Sequence, residues 1–159
     1  MIDTVHDQNI RKQGGDGQAV LNYISDEVFD NIKGNEMIEQ IAYTKAVSYH
    51  INNPGLEKWR ADMWFMDDTA LKFARYEPTT GHRPEAENEI MADTKTLDAL
   101  GIPAEIGATV TLDYQIKGIS YSKNFVLCGF WETDSLSNIG RLIAVSYTHL
   151  RAHETKANL

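Results

Sequence analysis

Thr109-Val110-Thr111-Leu112-Asp113-Tyr114-Gln115-Ile116, then Lys117-Gly118, then Ile119 to Phe130 is the stretch whose reading decides the fold class. Val110, Leu112, Tyr114 and Ile116 alternate with Thr111, Asp113 and Gln115, the period of a half-buried strand. Lys117-Gly118 sits at a tight reversal, and Tyr121 to Phe130 returns as the partner strand, so a β-hairpin is expected here.

Upstream, Thr79 to Pro84 reads as a turn and Glu85 to Glu89 as an acidic run entering an Ile90-Met91 strand. Thr94 is placed to cap a short helix over Lys95 to Leu100, which Gly101 ends and Pro103 keeps from continuing. Trp59, Ala61, Met63 and Phe65 alternate with Arg60, Asp62 and Trp64, another strand. Asp67-Asp68 can cap a short helix through Ala70 and Leu71. Ser25 is an N-cap with Asp26 and Glu27 in the first turn, where the helix dipole favours acids. Val28, Phe29 and Ile32 form that helix's apolar stripe, and Gly34 stops it. Gln18 to Ile24 is a short strand candidate, and Ile38 to Tyr49 reads as a strand pair or one long strand. Strands and helices mix without a regular βαβ beat, so the class is α+β, a mixed or antiparallel sheet with short helices. Residues 1–17, which end in Gly14-Gly15-Asp16-Gly17, carry little that can bury and read as a flexible lead-in. Gly15-Asp16-Gly17 lacks the preceding strand that a phosphate cradle requires.

The 159 residues fit one domain, with 42% apolar and 24% charged residues. Fifteen basic against 23 acidic residues leave a net charge of −8 without a Lys/Arg cluster, so nucleic acid is not an expected partner. No apolar run approaches the roughly 18 residues of a membrane-spanning helix; Phe125 to Cys128 and Leu142 to Val145 are strand-sized. Cys128 is the single cysteine. Met1 to Val5 has neither a basic nor an apolar leader region, so a signal peptide is not expected.

Several constellations invite chemistry, and each has a plainer reading. His149 and His153 stand four apart, the helical spacing of many zinc pairs, but lack a third ligand nearby. Glu85, Glu87, Glu89 and Asp93 could gather calcium, yet their spacing is not that of an EF-hand, and Glu89 capping the turn or pairing with Arg83 is simpler. A cysteine hydrolase would need Cys128 with His50 or His82, although a free cysteine in a strand is usually a small buried hydrophobe. Among the aromatics, Trp59 and Phe65 share the core parity. Trp64 falls on the opposite face and is the candidate contact for a substrate or partner.

Gly81-His82-Arg83-Pro84-Glu85-Ala86-Glu87-Asn88-Glu89-Ile90 resembles the turn and strand signature of FtsX-like ABC transporter permeases. Other elements agree with that family in order. Ser25 to Asp30 looks like its first helix, and Thr94 to Gly101 like its short middle helix. Ile106-Gly107 with Thr109 to Leu112 looks like its strand entry, and Leu127 to Trp131 like the end of the return strand. The resemblance spans residues 14–145. It implies a MacB-like periplasmic core domain, incomplete here, of α+β fold over residues 18–145. A transmembrane helix would precede the lead-in 1–17, and further helices would follow. Gly81, Arg83, Pro84, Asn88, Glu89, Gly101 and Gly107 would be structural motif residues.

The resemblance further implies a segment on the outer face of the cell membrane, non-catalytic, without a cofactor of its own. ATP would be hydrolysed by a cytoplasmic ABC ATPase subunit reached through the missing membrane helices. A second permease copy and a peptide or lipid-linked substrate would complete the partners. Ser146 to Thr155 resembles a translated sequencing-adapter peptide, so residues 146–159 are read as a non-native tail. A free-standing soluble α+β binding module is the alternative, and the cysteine hydrolase a weaker one.

Overall fold

The computed structural model describes residues 19–145. The lead-in over 1–17, the tail over 146–159 and the His149/His153 pair lie outside the described residues. In chain order the elements are α1 (Asp26–Lys33), β1 (Thr44–Ser48), a single 3-10 turn (Pro54–Leu56), β2 (Ala61–Met66), α2 (Asp68–Phe73), β3 (Thr80–Gly81), β4 (Glu89–Asp93), α3 (Thr94–Leu100), β5 (Thr109–Ile116), β6 (Ile119–Trp131) and β7 (Gly140–Ala144). Seven strands form one sheet in the order β1-β2-β7-β4-β6-β3, with β5 also on β6. β2–β7 and β4–β6 are parallel; the other pairs are antiparallel. The class is therefore α+β with a mixed sheet, as the sequence indicates.

The β5–β6 hairpin pairs in unbroken register from Thr109↔Val126 to Ile116↔Ile119. Lys117 (φ 51) and Gly118 (φ 80) both take positive φ, the requirement of a two-residue type I′ turn. β6 then outruns β5. Its second half takes β4 as parallel neighbour on one side and β3 as antiparallel neighbour on the other. One 13-residue strand thus joins the hairpin to the main sheet.

Both faces of the sheet centre are covered, which is why β4 and β7 read as continuous apolar runs rather than alternating ones. Ile90, Ala92, Leu142 and Met63 point into the larger cluster with Leu97 of α3 and Leu56 of the 3-10 turn. Met91 and Ile143, one residue out of phase, point into a second cluster with Leu71 of α2, Cys128 and Trp131.

Some local expectations are corrected. Residues 19–24 form no strand: Val20, Leu21 and Tyr23 lie exposed, and an apolar run makes a strand only where a neighbour offers its ladder. Ile38 to Tyr49 is likewise neither a strand pair nor one long strand, since only Thr44–Ser48 finds a neighbour, β2. The cap of α3 is Asp93, not Thr94: its Oδ1 accepts the Thr96 N–H at 2.9 Å. The caps at Ser25 and Asp67 are as expected, accepting from Val28 and Ala70.

Candidate functional site

The turn between β3 and β4 is held against β6 by two glycines. Gly81 (φ 79) pairs with Gly129, and the His82 N–H donates to the Cys128 carbonyl at 2.9 Å. A Cβ on Gly81 would run into the Cys128 carbonyl oxygen, and one on Gly129 into that of His82. Only bare backbone allows this approach, and it sets His82 over Cys128. Glu89, first residue of β4, reaches back across the turn. Its Oε2 accepts the N–H groups of Glu85 and Ala86 at 2.8 and 3.0 Å. The Glu85 N–H, then that of Ala86 and the His82 charge, hold its carboxyl below the usual range against an opposing effect of burial.

Glu89 therefore caps the turn, and Arg83 pairs elsewhere, with Asp68 of α2 at 2.6 Å. Pro84 is half-buried in the same turn, and the Asn88 carbonyl accepts the Val126 N–H at 2.7 Å. Gly101 (φ 69) ends α3 in the left-handed conformation, and Gly107 (φ 92) donates to the Leu127 carbonyl at 2.8 Å. All of these motif residues sit where the chain reverses or meets β6.

Among the described residues, one group of three potential metal donors comes together: a ring nitrogen of His82, a carboxylate oxygen of Glu89 and Sγ of Cys128, all within 4.8 Å of one another. Glu85, Glu87 and Asp93 do not join it. Asp93 lies at the far end of β4, its two oxygens accepting from Thr96, Thr133 and Arg141. As a nucleophile, Cys128 is poorly placed. It is 2% exposed, its thiol donates to the Ile90 carbonyl at 3.3 Å, and burial, with the Glu89 charge, pushes it up to about 12. A thiol that stays protonated at neutral pH does not attack. His50 sits in the loop after β1, where its carbonyl accepts the Gln115 N–H.

Trp64 projects from β2 toward the second cluster and is half-buried. Tyr49 meets its ring edge-on at 5.7 Å, and the Arg141 guanidinium lies 5.3 Å from its centroid. Arg141 in turn pairs with buried Asp62 at 3.0 Å. Trp64 Nε1, Asp62 Oδ1 and Arg141 Nε are buried there without a hydrogen-bond partner. Trp59 is core by contrast, its Nε1 donating to Thr96 Oγ1 at 3.0 Å. The pairing of Asp62 with Arg141 was not legible in the sequence, because the two residues are 79 positions apart. An open depression of about 490 Å³ beside β1, with Lys45, His50 and Lys117 on its walls, also gives no sequence signal.

No family model matches the chain, and no curated protein matches it in sequence. Solved structures do match. The extracellular domain of the noncanonic ABC-type transporter YknZ from Gram-positive bacteria aligns over 83% of this chain and 67% of its own, at TM-score 0.56 and 10% identity. The periplasmic region of MacB from Actinobacillus actinomycetemcomitans aligns over 89% of this chain and 65% of its own, at TM-score 0.53 and 12% identity. The chain thus spans about two thirds of either domain. At such identities the likeness is one of fold, and residues 19–145 carry the α+β fold of these transporter domains.

Proposed function

We propose that this chain is the extracytoplasmic domain of an ABC transporter permease, a non-catalytic segment that engages substrate or partner while a separate cytoplasmic ATPase subunit drives transport. The observation that carries the reading is that this fold, built on a seven-stranded mixed sheet, aligns with the YknZ and MacB domains over more than four fifths of this chain. The ordered motif resemblance from Ser25 to Trp131 supports it independently of the fold. Membrane helices outside residues 18–145 would anchor the domain on the outer face, and a second permease copy and a peptide or lipid-linked substrate are the partners that follow.

Trp64 is the contact residue in this reading. An aromatic ring half-open to solvent, flanked by Tyr49 and Arg141, offers the residue types that dominate recognition surfaces. Behind the ring, the buried Asp62–Arg141 ion pair holds the Arg141 guanidinium against Trp64.

Sequencing the source locus across both ends tests the reading. The expected result is a frame that leaves the sequence of residues 146–159 and runs into apolar stretches of about 20 residues, beside an ATPase gene. A complete gene that encodes no membrane helix would overturn it in favour of a free-standing binding module.

A further inference from the structure

The His82, Glu89 and Cys128 side chains have no shared role in the fold that explains their meeting. Their separations are not those of mutual hydrogen bonds: His82 Nε2 stands 3.9 Å from Glu89 Oε1, and Cys128 Sγ donates away from both, to the Ile90 carbonyl. Each group is nonetheless held with one donor atom turned to the others. His82 Nδ1 lies 2.7 Å from the Arg83 carbonyl oxygen. A carbonyl can only accept, so Nδ1 carries a proton, and whenever the ring is neutral its lone pair sits on Nε2, the atom that faces Glu89. Glu89 is fixed in the same manner. Oε2 is occupied by the N–H groups of Glu85 and Ala86, which leaves Oε1 toward His82.

An imidazole whose far nitrogen is tied to a carbonyl, and a carboxylate whose far oxygen is tied to backbone N–H groups, are the supports that metal-binding residues take from their surroundings. We propose that His82 Nε2, Glu89 Oε1 and Cys128 Sγ form a binding site for a zinc-like divalent cation. One nitrogen, one oxygen and one sulfur suit zinc, which accepts all three, and not calcium or magnesium, which favour oxygen alone. Zinc donors lie about 2.0 to 2.3 Å from the ion, so the present spacing must contract. The exposed His82 side chain has room to shift about its Arg83 contact, and solvent on its side supplies a fourth ligand and the entry path. Binding transfers the Cys128 proton to solvent and exchanges the weak thiol bond to Ile90 for a metal–thiolate bond. β4, β6 and the turn between β3 and β4 would then be clamped beside the Gly81–Gly129 contact. The inference concerns this chain's own side chains and does not depend on the transport reading.

The test is titration of the full chain with Co²⁺ and then Zn²⁺, following the near-ultraviolet thiolate-to-cobalt charge-transfer band and the stoichiometry by calorimetry. One ion per chain is expected, with a cobalt band that Zn²⁺ abolishes. His82→Gln, at an exposed position that leaves the core intact, weakens binding at least about tenfold, and Cys128→Ser removes the band. His149→Gln with His153→Gln removes the other histidine pair and leaves the band unchanged. The absence of a band in the parent chain overturns the site. So does binding that survives His82→Gln but is lost with His149 and His153.

Discussion

Asp93 Oδ2 accepts the backbone N–H of Arg141 at 2.8 Å, so a side chain at the end of β4 completes the ladder to the start of β7. The same carboxylate caps α3 through the Thr96 N–H and takes the hydroxyls of Thr96 and Thr133 at 2.6 and 2.7 Å. Four donors converge on a residue that is 3% exposed. One carboxylate fixes a strand pair, a helix start and the segment after β6.

Asp93→Ala leaves several of those donors unsatisfied in the interior and removes a helix cap, each loss worth about 1–3 kcal/mol. The expected destabilisation is about 3–5 kcal/mol by urea denaturation, near the upper end for a single substitution. Asp93→Asn keeps one accepting oxygen and should cost roughly half as much. A loss below about 1 kcal/mol for Asp93→Ala would show that solvent replaces the network.

Gly129→Ala is expected to disrupt the β3–β6 contact, because its Cβ meets the His82 carbonyl oxygen and backbone cannot rotate aside. A loss of about 2–4 kcal/mol follows from overpacking of this kind. Gly34→Ala is the control. Nothing lies within 4 Å of a Cβ there and its φ is −87, so stability should change by less than about 0.5 kcal/mol. Thermal unfolding of the two variants side by side separates steric cost from general glycine effects.

Much of this fold was legible because its signals are local. The β5–β6 hairpin combines period-two alternation with a Lys-Gly reversal, and Ser25, Asp67 and Gly101 mark helix ends within four residues of what they cap. What was not legible depends on distant partners. Val20, Leu21 and Tyr23 carry strand propensity but meet no ladder, whereas Thr44–Ser48 becomes a strand because β2 lies beside it. Thr94 and Asp93 are both good caps, and the choice of Asp93 is made by Thr133 and Arg141, about 40 residues away and more. The meeting of His82 with Cys128 is likewise set by the antiparallel pairing of β3 on β6, where Gly81 faces Gly129, and no local pattern encodes it.

Cys128 should react slowly with thiol reagents in the folded, chelator-treated chain. A thiol pushed up to about 12 by burial is ionised at pH 8 on the order of 1,000-fold less than an ordinary cysteine. Labelling with Ellman's reagent is expected to wait on unfolding and to become fast in denaturant. Rapid stoichiometric labelling under native conditions would restore the cysteine-hydrolase reading that the buried thiol argues against.

Tyr114 gives the chain a defined alkaline limit. Its side chain is 2% exposed, stacked on Tyr121 at 5.5 Å, and burial pushes its phenol up to about 12. In the unfolded chain the same group ionises near pH 10. Because the folded value is the higher one, the contribution of the neutral phenol is fully present below about pH 10 and is lost as pH rises through about 12. Between pH 8 and 11.5 the stability of the parent chain should therefore fall by about 2 kcal/mol more than that of Tyr114→Phe, which keeps the ring and has no proton to lose. Urea denaturation of both chains at pH 8, 10 and 11.5 checks this. Parallel pH profiles would mean that the phenol reaches solvent without cost, and the hairpin interior would then be looser than its register indicates.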